Sequence, residues 1–119
     1  MNFFNLETWQ KGHILTLEIY RITKDFPKDE LYGIVSQLRR ATSSVTANIA
    51  EGFGRYHYKD KVKFYYNSRG SLVEVQNFLL LSRDLKYIDS NLCSKYLDDT
   101  EEIKRLINGL INSINKQMR

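Results

Sequence analysis

Hydrophobic and polar positions alternate along this chain with a helical period in four stretches. From about 6 to 23, Leu6, Trp9, Thr16, Ile19, Tyr20 and Thr23 recur at spacings of three, four and seven, with Gly12 or His13 filling the gap. Glu7, Lys11, Glu18 and Arg21 fall on the other side. Phe26-Pro27 ends the element, because the residue before a proline avoids the α region. A second helix is predicted over 28–51, with Asp29 and Glu30 in its first turn and Leu31, Ile34, Leu38, Ala41, Val45, Asn48 and Ile49 as its stripe. Gly52 and Gly54 stop it. A third runs over 59–86, with a stripe from Phe64 and Tyr65 through Leu72, Val75 and Leu79 to Leu85. Gly70 sits inside it, and an interior glycine calls for a packing reason, the close approach of another backbone. A fourth runs over 91–117, N-capped by Asp89 or Ser90, with Leu92, Tyr96, Ile103, Leu106, Ile107, Leu110 and Ile114 inward.

The connections near 24–28, 52–58 and 87–90 are short, and short connections make successive helices antiparallel. The fold class is therefore all-α: one domain over 1–119, an antiparallel up-down-up-down four-helix bundle. Phe3, Phe4, Ile14, Leu17, Ile22, Tyr32, Tyr66, Tyr87 and Ile111 lie beside or outside the stripes. Several of them clustered would form an apolar patch of the kind that marks an interface.

Composition narrows the function classes. Cys93 is alone, so the chain has no internal disulfide and no multi-cysteine zinc cage; a small hydrophobe on a helix face is the expected role. Nothing reads as a signal peptide or a bilayer span, so the cytoplasm is the expected location and no membrane partner is expected. Neither His13 nor His57 has a Glu three residues earlier, as a bundle metal site would need, and no phosphate-binding Gly-Lys-Ser/Thr loop is present. RNA-cleaving bundles that carry Arg, four to six residues, then His would need an Arg at 50–52, which here are Ala50, Glu51 and Gly52. The expectation is no enzyme, no catalytic residue, no metal and no cofactor.

The net charge of +4 is unevenly placed. Residues 1–26, 27–51 and 89–119 are each neutral, and 52–88 carry seven bases against three acids, the whole excess. Its centre, GFGRYHYKDKVKFYYNSRG, interleaves Arg55, Lys59, Lys61, Lys63 and Arg69 with aromatic side chains. Cations for phosphates and rings for unstacked bases suit single-stranded or irregular RNA. With Arg39 and Arg40, these are the candidate nucleic-acid-binding residues. A second group, Asn48, Glu51, Ser71 and Glu74, is expected where helices two and three pack. Buried polar groups need partners, so these four and Arg55 are expected to form one set with Arg39, Arg40 or Arg69. Such a set either fixes helix register or binds a ligand or an RNA phosphate.

The same residues carry a resemblance. Trp9, Ile19-Tyr20, Phe26-Pro27, Tyr32-Gly33, Ser36-Gln37-Leu38-Arg39-Arg40-Ala41, Asn48-Ile49-Ala50-Glu51-Gly52 and Gly70-Ser71-x-x-Glu74 make the chain resemble, over about 5–115, the bacterial four-helix-bundle family encoded in intervening sequences of 23S ribosomal RNA genes. That family is similar to the accessory variability determinant of diversity-generating retroelements. The resemblance implies a homo-oligomer, with a pentameric ring as the expected form. It implies no enzymatic activity, and it implies association with RNA or other nucleic acid. The alternative it leaves is a protein-interaction adaptor, for example a reverse-transcriptase partner, without direct nucleic-acid binding.

Overall fold

The computed structural model describes residues 1–119. Four helices follow one another: α1 (Glu7–Thr23), α2 (Ser36–Gly54), α3 (Tyr58–Asp84) and α4 (Ser90–Gln117). A single 3₁₀ turn, Phe3–Asn5, precedes them. Cross-helix contacts set the directions. Gly12 backs onto Thr46 and Val45, and Thr16 reaches Thr42. Val45 accepts from Ser68, and Arg40 meets Glu74. Arg69 meets Asn108, and Gln76 meets Thr100. In each pair of helices one number rises as the other falls, so all neighbours are antiparallel. α1 and α3 each pack on α2 and α4 and occupy opposite corners of a bundle 48 × 24 × 20 Å in extent. No helix is long and apolar enough to cross a membrane.

The core is one cluster of 21 buried residues drawn from all four helices and the turns that join them. Burial of this apolar surface is the main force holding the bundle. The α1 stripe is rotated from the predicted one. Its buried residues are Thr8, Gly12, Leu15, Ile19, Ile22 and Thr23, while Tyr20 is exposed. Gly12 explains the rotation: a Cβ there would lie 2.9 Å from the Thr46 methyl, so α1 meets α2 along the side that lacks a side chain. Ile22 and Ile111, expected outside the stripes, are core residues.

The second helix begins later than predicted. Residues Lys28–Glu30 form a 3₁₀ turn, and Leu31–Val35 form a wide π-type turn broken at Gly33 (φ −104°, ψ −116°). The break turns Leu31 and Tyr32 outward, so Leu31 does not join the stripe. At the far end of α3, Leu85 is the C-cap and Lys86 takes a left-handed conformation (φ 69°). The Tyr87 N–H then returns to the Ser82 carbonyl at 2.9 Å, the six-to-one bond that closes a helix of this kind. Asp89 N-caps α4, accepting from the Leu92 N–H at 2.7 Å.

Candidate nucleic-acid interface

The turn between α2 and α3 is built by two close contacts. Gly52 lies against the buried Tyr65 ring, with room for no side chain. Lys61, one turn into α3, bends back and donates to the Phe53 carbonyl at 2.7 Å and to Gly52 at 3.4 Å. Both carbonyls lie in the last turn of α2, where Gly52 also accepts from the Arg55 N–H at 3.3 Å, and a cation there suits the negative end of the helix dipole. Burial pushes the Lys61 ammonium below its ordinary pKa.

The seven candidate cations separate into three groups. Lys59 and Lys63 are exposed and make no ion pair. Arg55 and Arg40 are exposed but paired: Arg55 with Glu51 at 3.2 Å, lying over the Phe64 ring, and Arg40 with Glu74 at 3.2 Å and Gln37 at 2.9 Å. Arg39, Lys61 and Arg69 are held in contacts between elements. Arg39 donates to the Thr23 hydroxyl at 2.9 Å and covers the Tyr20 ring. Arg69 donates to Asn108 at 2.9 Å.

The free lysines share their end of the bundle with exposed rings. Tyr56 is 90% exposed and meets His57 edge-on at 5.0 Å, and Tyr66 is half-exposed one turn beyond Lys63. Arg40 and Arg39 are not part of this surface. Arg40 sits beside Glu74, eleven residues along α3 from Lys63, or about 16 Å at the helical rise. They border a separate open groove of about 380 Å³ with Tyr20 and the 92%-exposed Tyr32. That groove follows from the break at Gly33, and the one signal for it in the sequence is a glycine beside a tyrosine at the start of an apolar stripe.

The expected single polar set is three separate ones. Asn48 donates to the Ser44 carbonyl at 2.8 Å and to its hydroxyl at 3.0 Å, and that hydroxyl meets Ser71 at 2.9 Å. Glu51 pairs with Arg55, and Glu74 with Arg40, each at the surface. Glu51 and Glu74 fail to join Asn48 because they project from the flanks of the α2–α3 seam. No buried side-chain nitrogen or oxygen lacks a partner. That geometry fits a register device between two helices.

The fold and the surface define a class: a small all-α antiparallel bundle with a locally basic, aromatic end. The chain belongs to the 23S rRNA-intervening sequence protein family, whose model matches residues 4–109. Its fold is similar to the crystal structure of a protein of unknown function from the S23 ribosomal protein family of Bacteroides thetaiotaomicron, with a TM-score of 0.82 at 20% identity, covering 88% of this chain and 95% of that one. No curated protein matches the chain.

Proposed function

We propose that this protein is a non-enzymatic, homo-oligomeric RNA-associating bundle of the cytoplasm, and that it meets RNA at the α2–α3 end. The observation that carries the reading is the pair of unpaired lysines, Lys59 and Lys63, beside exposed Tyr56 and Tyr66. Unpaired cations attract phosphates without first breaking an internal ion pair, and exposed rings accept unstacked bases. Arg55 adds a cation whose pairing with Glu51 is exposed, and such pairs are weak. A ring of five such chains, the expected form, multiplies the charge to about +20 and gathers it where the α2–α3 turns lie together. The non-enzymatic part rests on the disposition of the reactive groups: His13 is stacked on Trp9 at 4.6 Å, His57 stands on the exposed turn, and Cys93 is buried with its thiol pushed up in pKa by burial. The test is retention of structured 23S-type RNA on a filter across a salt series. Binding that falls steeply with salt is expected, and no retention at low salt overturns the reading.

A further inference from the structure

Beside the basic end lies a groove that phosphate contacts leave unused. Its volume is about 580 Å³, within the range of about 300–1,000 Å³ that small-ligand sites occupy. The floor is the outer side of the last two turns of α2, with Ala47, Ala50 and Gly54. Phe3 lines it from the N-terminal turn, and Glu51 and Arg55 line it from the end of α2.

The ring and the ion pair are held in place. Gln10 pins the Phe3–Asn5 turn by donating to the Phe4 carbonyl at 3.0 Å, and the Phe3 ring meets the Trp9 ring edge-on at 5.4 Å. Arg55 is fixed twice, by Glu51 Oε2 at 3.2 Å and by the Phe64 ring at 4.6 Å. Each side chain of the pair keeps about half its surface in solvent, and Glu51 Oε1 has no partner. Nothing within the chain requires glycine at 54: a Cβ there meets nothing within 4 Å, and the backbone is not left-handed. Its missing side chain leaves the groove open.

The pair presents a readable edge. Across it stand an Arg55 N–H, then Oε2 and Oε1 of Glu51: one donor followed by two acceptors, with a second lone pair on Oε2 beside the Arg55 bond. An unstacked RNA base is read on its Watson–Crick edge. On that edge guanine offers an acceptor, O6, then two donors, the N1–H and the 2-amino group, which is the complement. Adenine would set its amino group against the Arg55 donor and its N1 against a carboxylate oxygen. Uracil would set O2 against Oε1, and cytosine repeats the order of the protein's own groups. Arg55 neutralises the Glu51 charge beside the strand, and Phe3 supplies a ring on which a base can stack.

We infer that this groove takes one unpaired guanine, with Arg55 and Glu51 on its Watson–Crick edge and Phe3 against its ring. The inference deepens the RNA reading above and rests on it. Lys59 and Lys63 hold the strand through its phosphates, which carry no sequence, and the groove adds the base that is read.

The test is fluorescence anisotropy with two labelled uridine octamers, one carrying a single central guanosine and the other an adenosine in its place. The guanosine octamer is expected to bind the unsubstituted chain about tenfold more tightly. Glu51→Gln replaces one acceptor by a donor and is expected to erase that ratio, while adenosine binding holds or rises because Arg55 is freed. Gly54→Leu fills the groove without changing charge and is expected to erase the ratio too, with far-UV circular dichroism showing both variants folded. Equal binding of the two octamers to the unsubstituted chain overturns the groove and leaves the RNA reading standing. A ratio that survives both variants also overturns it. Octamers that fail to bind while structured 23S-type RNA is retained on the filter overturn the groove alone, and loss of both overturns the reading with it. GMP is expected to compete weakly, since it lacks the strand that Lys59 and Lys63 hold. GMP that competes as well as the guanosine octamer overturns RNA as the source of the base and makes the free nucleotide the ligand.

Discussion

The ammonium of Lys61 donates to the carbonyl of Phe53 across the α2–α3 turn at 2.7 Å. A lysine inside a basic run thus belongs to the fold, since it closes the C-terminus of the preceding helix. Lys61→Met keeps the apolar stem and removes the donor. The expected loss is about 1 kcal/mol, the usual worth of such a cap and hydrogen bond. A thermal melt reads it as a drop of roughly 4 °C. RNA retention is expected to match the unsubstituted chain, and a selective loss of binding with the melt unchanged would reverse the assignment.

Gly52 is the other half of that turn. A Cβ there would lie 2.7 Å from the edge of the Tyr65 ring and 3.1 Å from the Lys61 carbonyl. Tyr65 is only 3% exposed, so its ring has no solvent to swing into, and the carbonyl is backbone. Gly52→Ala is expected to cost about 1–3 kcal/mol through overpacking. Urea unfolding should show a lower midpoint with the same slope. An unchanged midpoint would mean that the two helices separate freely at this end.

Arg39 and Arg40 are adjacent in sequence and have opposite roles. Arg39 bonds Thr23 and the Tyr20 carbonyl on α1, while Arg40 reaches outward to Glu74. Arg39→Glu would set a half-buried carboxylate against a carbonyl and is expected to lose about 2 kcal/mol. Arg40→Glu exchanges an exposed pair for a repulsion with Glu74 and is expected to lose no more than about 1 kcal/mol. Melts of the two variants in one buffer decide, and equal losses would contradict the geometry.

The number and order of the helices were legible in the sequence because periodicity reports which residues avoid water. Gly52, Gly54 and Asp89 marked boundaries through chemistry that acts within one or two residues. The break at Gly33 was not legible, because Ile34, Leu38 and Ala41 keep a helical rhythm past it. Nor was the rotation of α1, which depends on what Gly12 faces across the bundle. The charged site shows the same limit. Clustering of Lys59, Lys61 and Lys63 is a property of the chain, but Lys61 is diverted by the Phe53 carbonyl at the end of α2, an acceptor that composition does not display. Arg69 is likewise diverted by Asn108, from a helix distant in sequence.

Tyr65, Tyr87 and Tyr96 are expected to ionise late. Burial raises the pKa of Tyr65 and Tyr96, and the hydrogen bond from the Tyr87 hydroxyl to the Glu30 carboxylate at 2.7 Å raises that of Tyr87. Each folded value lies above the unfolded value of about 10, so the folded chain holds these protons longer. Their contribution to stability is complete below about pH 10 and is lost as pH rises through the folded values. The last of the phenolate absorbance to appear should coincide with loss of helical circular dichroism. Ionisation of all the tyrosines completed while the helices persist would contradict the burial of these rings.

The two free lysines make a quantitative claim on salt dependence. Each phosphate neutralised by a protein cation releases condensed counterion, contributing roughly 0.7 to the slope of log binding constant against log salt on single strands and about 0.9 on duplex. Lys59 and Lys63 have no internal partner, so Lys59→Ala and Lys63→Ala are each expected to remove about one such increment per subunit touching the RNA. Lys61→Met is expected to remove none, because that ammonium is held on Phe53. Arg69→Gln should also leave the slope unchanged, since Arg69 is bonded to Asn108. Filter binding of one RNA over a range of salt, with all four variants in parallel, separates the pairs. Four equal slopes would place the RNA elsewhere on the molecule, and a loss at Lys61 equal to that at Lys63 would mean that the turn opens to admit the phosphate.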